Sequence, residues 1–243
     1  MRYELYYWPH VPGRGEFIRL ALEAGAAEYI DVGRLPEDAG GGRPGVAKVL
    51  GNAPDGRTPY APPILKAGKL MISQTANILM YLGPRLKLVP EAESARLWAN
   101  QLQLTLADLV VEAHDTHHPI AKSLYYEDQQ AESLRRAENF RTLRLPKYLG
   151  YFEEVLNTNP AGGRFLIGKS LTYPDLSLFQ VIAGLKYAFP RAMKHMLASQ
   201  PRLAAFHDYV QSWPRIAAYL GSSRRMPFNQ HGLFRHYPEL DMA

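Results

Sequence analysis

The 243 residues hold 47% hydrophobic content, 28 Lys and Arg against 23 Asp and Glu, and no cysteine. A chain of this size can bury a real core in one large or two smaller domains, and the missing thiols exclude disulfides, thiolate metal sites and cysteine nucleophiles together. The basic residues behind the net charge of +5 are scattered and not interleaved with aromatic runs. They therefore predict no nucleic-acid partner and suit an anionic small ligand equally well. No run of about 18 apolar residues is present, and Met1 leads directly into strand-like sequence without a charged and apolar leader. The expectation is a cytoplasmic protein with no membrane partner.

Residues 2–8 alternate and are rich in Tyr, as a strand with one buried face would be. Leu5 and Tyr7 fall on one face, Tyr6 and Trp8 on the other. A loop at 9–13 precedes a helix at 14–24, marked by Phe17, Leu20, Ala21 and Ala24 and stopped by Gly25. Residues 28–32 read as a second strand, completing a βαβ opening. The stretch 33–58 is rich in Gly and Pro and holds a short helix at 46–50.

From Tyr60 the pattern reads strand, turn, strand, helix. Short apolar runs at 63–65 and 70–72 are joined by a polar turn at 66–69, and Thr75 is expected to cap a helix that ends at Gly83 and Pro84. Two adjacent prolines, Pro62 and Pro63, fit a ladder poorly. They point to a bend that presents backbone groups to a ligand, and the helix start after Gln74 offers free N–H donors to a carboxylate.

Residues 84–93 read as a linker, after which the chain is helical. One helix is expected at 94–115 with Ser94 as its cap, and another across 127–156. Phe165-Leu166-Ile167-Gly168, followed by Thr172 and Asp175 three apart, is a capping box at the head of a further helix. The tail after Gly221 carries Phe228, His231, Phe234 and Tyr237 and is expected to pack back on the helical domain.

His114 and His118 stand one turn apart beside Asp115, a spacing that a divalent ion can use. Pro119 ends the helix there, however, and no second cluster supplies the remaining ligands. No metal is expected.

Pro-x-Leu, a hairpin and Gln-Thr opening a helix resemble the glutathione-binding half of the glutathione transferase family. Leu-Tyr-Tyr-Trp at 5–8 followed by Gly-Arg-Gly-Glu-Phe-Ile-Arg at 13–19 is similar to its tyrosine-type members, and the Phe-Leu-x-Gly…Thr-x-x-Asp run resembles the start of the central helix of their second domain. The resemblance implies an α/β thioredoxin-like domain at 1–83, a linker at 84–93 and an all-α domain at 94–243. It implies glutathione as co-substrate, a hydrophobic electrophile as second substrate, a detoxifying role and a homodimer with Tyr60 inserting into the partner.

On that match Tyr7 is the catalytic tyrosine, with Tyr6 adjacent as the other candidate, and Arg14 supports the thiolate. Trp8, Pro62, cis-proline Pro63, Gln74 and Thr75 would hold glutathione. Lys48 or Arg57, with Arg43 behind them, would grip its glycyl carboxylate. Asp108 would reach across the dimer to its ammonium, and His117, His118, Tyr125 and Tyr126 would line the pocket for the electrophile. Pro62 departs from the pattern, because a proline cannot donate the backbone hydrogen bond expected there; one bond of about 0.5–1.5 kcal/mol is lost. A glutathione-dependent isomerase or peroxidase, and a non-catalytic carrier of apolar ligands, fit the same resemblance.

Overall fold

The structure, a computed structural model, describes residues 2–51 and 56–242; the part of the Gly- and Pro-rich stretch at 52–55 lies outside them. The chain divides into two compact units, residues 1–100 with 214–227 and residues 101–213 with 228–243.

The first unit is built on four strands, β1 (Tyr3–Tyr6), β2 (Tyr29–Asp31), β3 (Ile64–Ala67) and β4 (Leu70–Ser73), in the order β2-β1-β3-β4. β1 pairs parallel to β2 and antiparallel to β3, and β3 pairs antiparallel to β4. This is the thioredoxin-like α/β arrangement that the sequence implies. The parallel pair requires a crossover, and α1 (Gly15–Ala24) supplies it.

Strand alternation divides the core. Tyr3 and Leu5 pack on one face with Ile18 and Leu22 of α1 and with Ile78 and Leu82 of α3 (Thr75–Arg85). Tyr6 packs on the other with Val32, Ile64 and Val46 of α2 (Gly42–Leu50). Apolar residues in both registers are needed because helices cover both faces.

Several boundaries differ from expectation. The hairpin turn is tighter, with pairing continuing to Ala67 and Leu70 around Gly68, whose φ of +63° favours glycine. The helix after it does not stop at Gly83 and Pro84 but runs to Arg85. A proline in the last turn forfeits only the bond to the Met80 carbonyl, and Met80 is exposed. Residues 84–93 hold the end of α3, a short connection and the first residue of α4 (Glu93–Asp115). Ser94 therefore sits in the first turn of α4, not at its cap.

A buried ionic network closes this unit. Glu16 and Arg19 on α1 are fully buried. Arg19 Nε donates to Asp31 at 2.6 Å and its Nη1 to the Pro12 carbonyl at 3.2 Å. Glu16 accepts from the Tyr219 hydroxyl at 2.6 Å and from Arg225 Nη1 at 2.5 Å. Those two partners come from α10 (Pro214–Leu220) and the segment after it, which thus belong with α1. The tail expected to pack on the helical domain is divided at Pro227.

In the second unit the helices are the C-terminal part of α4, then α5 (Gln130–Asn139), α6 (Leu145–Thr158), α7 (Tyr173–Ala188), α8 (Pro190–Ser199) and α9 (Pro201–Gln211). The single helix expected at 127–156 is interrupted by a π turn at Phe140–Arg144. Pro146 explains it: lacking an N–H and clashing with the carbonyl four residues back, it forces the preceding turn to widen. Arg144, on that turn, forms a forked pair with Glu112 of α4 at 2.7–3.0 Å, joined by the Tyr148 hydroxyl at 2.9 Å. These contacts hold the Glu112 carboxyl below the usual range.

α7 is buried on nearly every side. Its first turn is satisfied by the capping box that the sequence predicts, with Asp175 accepting from the Thr172 N–H and the Leu166 N–H at 2.7 Å each. Residues 228–243 pack on this unit: Phe228 stacks on Tyr187, and Asp241 accepts from the Arg191 and Ala192 N–H groups that start α8.

Two outcomes are expected in chemical denaturation. Asp175→Ala leaves two buried N–H groups unpaired and should cost about 3 kcal/mol, against about 1 kcal/mol for Thr172→Ala. Equal losses would show that Asp175 is not the centre of the cap. Arg19→Met strands Asp31 and weakens the charge balance at Glu16, and should cost about 3–5 kcal/mol; a neutral or stabilising result would show the network to be dispensable.

Candidate functional site

The register of the sheet brings the predicted residues into one row. Tyr6 pairs with Ile64 and Ile64 with Ser73. One step beyond those pairs, at the same end of the sheet, stand Tyr7, Pro63 and Gln74, just past the ends of three neighbouring strands spaced about 4.8 Å apart. The Pro62–Pro63 bond is cis and both prolines are buried.

Tyr7 is 6% exposed, and its hydroxyl accepts the Arg14 N–H at 2.8 Å. Among the described residues no acceptor takes the hydroxyl proton. Burial pushes the phenol pKa up, partly offset by the Arg14 N–H and by the charges of Arg14 and Arg19, so at neutral pH the group remains a donor. The contact is close because Gly13 carries no side chain: a Cβ there would lie 2.2 Å from the Tyr7 oxygen, and its φ is +45°.

Tyr6 is differently placed. Its hydroxyl donates to Glu4 Oε2 at 2.6 Å on the opposite face of the sheet, and burial together with that carboxylate pushes its pKa up. Of the two adjacent tyrosines, only Tyr7 keeps an uncommitted proton.

Gln74, exposed, is the residue before α3 and holds φ +71° and ψ 123°, a sparsely populated conformation for a side chain of this size. It, and not Thr75, occupies the cap position. Thr75 begins the helix, and its Oγ1 is buried without a partner. The first intrahelical bond is made by the Ile78 N–H to the Gln74 carbonyl, leaving the earlier N–H groups of the turn for a ligand. A buried hydroxyl, oriented donors and the positive end of a helix together fit a carboxylate group.

The other candidates are scattered. Trp8 packs against the Tyr6 cluster. Lys48, on α2, lines a cavity of about 430 Å³ with Tyr6, Glu4, Lys66 and Met71, on the face away from Leu5. Arg57 is exposed just after residues 52–55, and Asp108 is exposed on α4.

In the second unit His118, Tyr125 and Tyr126 line a cavity of about 640 Å³ that also takes in Lys122, Glu127 and Arg235. Its walls are aromatic and charged, not purely apolar. His117 does not line it; His117 is 1% exposed and packs with His114 and His118, ring centroids 5.0 Å apart in each pair.

Arg19 and Gln74's backbone are the features that sequence reasoning missed or misread here. Arg19 stands 5.9 Å from the Tyr7 ring and holds the Pro12 carbonyl next to the loop over it. Its only signal in the sequence is a Glu-Arg pair three apart inside an otherwise apolar helix.

Comparison with known proteins matches these observations. Residues 114–223 match the family described as Glutathione S-transferase, C-terminal domain. The chain is 24% identical over 221 residues to a glutathione S-transferase of Plasmodium falciparum, covering 89% of this chain and 93% of that protein. Its fold is similar to the Pi-class glutathione S-transferase of Onchocerca volvulus, with a TM-score of 0.68, 24% identity, and 90% and 92% of the two chains covered. It is also similar to prostaglandin synthase D of Nilaparvata lugens, with a TM-score of 0.70, 19% identity, and 93% and 100% covered. The chain is thus similar to glutathione S-transferases along nearly its whole length, and the family model itself matches residues 114–223.

Proposed function

We propose that this protein is a transferase of the tyrosine type that joins the sulfur of glutathione to hydrophobic electrophiles. The observation that carries the reading is the Tyr7 hydroxyl: it is fixed by the Arg14 N–H at 2.8 Å and its proton is uncommitted. Accepting one hydrogen bond polarises the hydroxyl and makes it a better donor in the next. The thiol of glutathione loses its proton to solvent, the Tyr7 O–H donates to the resulting thiolate, and the charges of Arg14 and Arg19 favour the anion. The sulfur lone pair then forms a C–S bond as the electrophilic carbon releases its leaving group or the electrons of a π bond.

The region 1–83 serves as the glutathione-binding domain, 84–93 as linker and 94–243 as the helical domain that supplies the hydrophobic pocket. Pro63, Gln74 and Thr75 hold the γ-glutamyl end of glutathione, the carboxylate at the start of α3. Arg57 takes the glycyl carboxylate in preference to Lys48, which lines a cavity with Tyr6. His118, Tyr125 and Tyr126 receive the second substrate.

A cytoplasmic homodimer with a detoxifying role is part of the same proposal. Tyr60 is 93% exposed, and α4 presents Leu97, Leu104 and Val111 to solvent at seven-residue spacing, which supports a helix face that pairs with a second copy. Asp108 lies exposed on the same helix. In a glutathione-dependent isomerase the same thiolate would return unchanged, and product analysis distinguishes that chemistry from conjugation.

Ultraviolet titration of bound glutathione tests the central claim. Tyr7→Phe should raise the pH at which the bound thiol ionises by about 1–2 units, the worth of a hydrogen bond to a charged group, so the thiolate fraction at neutral pH falls. Tyr6→Phe should leave it unchanged. A thiol that titrates in the wild type as it does in free solution would instead support the carrier reading. Thr75→Val keeps the shape and removes the orphan hydroxyl, and should weaken glutathione about tenfold by calorimetry; unchanged affinity would remove Thr75 from the site.

A further inference from the structure

α4 ends at Asp115, and the turn after it is closed by the Thr116 N–H to the Ala113 carbonyl and the His117 N–H to the His114 carbonyl, both at 3.3 Å. That turn sets His117 and His118, both beyond the helix, beside His114. One ligand nitrogen on each of His114, His117 and His118 can be chosen so that all lie within 4.8 Å of one another. We infer that these three imidazoles form a binding site for a single divalent transition-metal ion of the zinc class, a site that shares His118 with the pocket proposed for the second substrate.

Three observations carry this. First, His117 Nε2 is buried without a hydrogen-bond partner in a residue 1% exposed. Such an orphan costs about 1–3 kcal/mol, and a metal bond would satisfy it. Second, both neighbouring rings are held by side-chain partners, and that of His114 is a carboxylate, as at many metal-binding histidines. His118 Nδ1 accepts from the Gln129 amide Nε2 at 3.2 Å, so an ion must displace that donor or take Nε2 after the ring proton moves to Nδ1. His114 Nδ1 faces Asp115 Oδ1 at 3.5 Å. Gln129, held by the Ile120 N–H and the Ala121 carbonyl, lies 3.2 Å from His118 Nδ1 and fixes that ring in place.

Third, an entry path exists. His118 also lines the cavity of about 640 Å³, so an ion can arrive and keep a fourth position for water or a small anion.

Nitrogens on one tetrahedral zinc lie about 3.4 Å apart, given bonds of about 2.0–2.1 Å. Closing the site therefore needs ring movements of about 1 Å, within reach of side-chain torsions. An all-imidazole donor set selects zinc, copper or nickel over calcium and magnesium, which require oxygen. The charges around the rings are mixed. Arg235 and Lys122 oppose a cation and Asp115 favours one, so the positive groups temper affinity while attracting an anion to the fourth position.

Cobalt(II) titration of the full chain, free of any histidine tag, is the test, because tetrahedral cobalt absorbs strongly in the visible range. The wild type should develop that absorption to saturation at one equivalent and lose it when zinc is added. Asp115→Asn should weaken cobalt binding about 10–100-fold, and His114→Gln and His117→Asn should each abolish the band. His114 is partly exposed, so His114→Gln tests the site even if His117→Asn fails to fold. Absence of the band in the wild type, or its survival in His114→Gln, overturns the inference. Neither result bears on glutathione binding, which the thiol titration measures independently.

Discussion

A guanidinium in the interior sets the geometry of everything around Tyr7. Arg19 is fully buried, and a charge removed from water needs well-placed partners; three of them hold Nε and Nη1, while its Nη2 has none. Asp31 on β2, Glu16 on the same helix and the Pro12 carbonyl meet it, and the acidic groups raise its pKa further against the opposing effect of burial. Because Pro12 is one of those partners, the loop that follows cannot drift without exposing the charge. Gly13 and Arg14 are delivered to the Tyr7 hydroxyl as a result. Apolar packing alone is forgiving of small shifts; a set of short, directional bonds to a desolvated cation is much less so.

The same sheet explains why two neighbouring tyrosines have unlike chemistry. Alternation sends Tyr6 into the cluster under α2, where its hydroxyl donates to Glu4, whereas Tyr7 leaves the strand at its end and lies beneath a glycine. Identical side chains one residue apart thus differ in whether a proton is available. Neither burial nor pKa alone separates them, since both are buried and both phenols are raised. The hydrogen-bond partner does.

Much of the architecture is legible in the chain because local and global preferences agree. The first strand, the apolar hairpin runs and the Thr172–Asp175 box are legible because each is decided by residues close in sequence, although the strand is covered on both faces and not only on the one expected. The misreadings occur where distant contacts decide. Thr75 resembles a cap by residue type, but the cap position is taken by Gln74 in a left-handed conformation that no propensity favours. Glu16 and Arg19 read as charges on a helix face, and their burial depends on Tyr219 and Arg225 far along the chain. His117 and His118 stand three and four residues after His114, but α4 ends at Asp115, so the meeting of the three rings depends on the turn beyond it.

The bonds from Tyr219 and Arg225 to Glu16 span 203 and 209 residues. On the ribosome, α1 and its sheet are made long before the segment that satisfies their buried carboxylate. During that interval Glu16 must remain hydrated or find a substitute, so the first unit cannot reach its final form as it emerges. The second unit carries no such debt to the first half of the chain in its capping box, which lies within ten residues of sequence. Each unit is nevertheless finished only near the end of synthesis, the first by Tyr219 and Arg225 and the second by Asp241 at the start of α8.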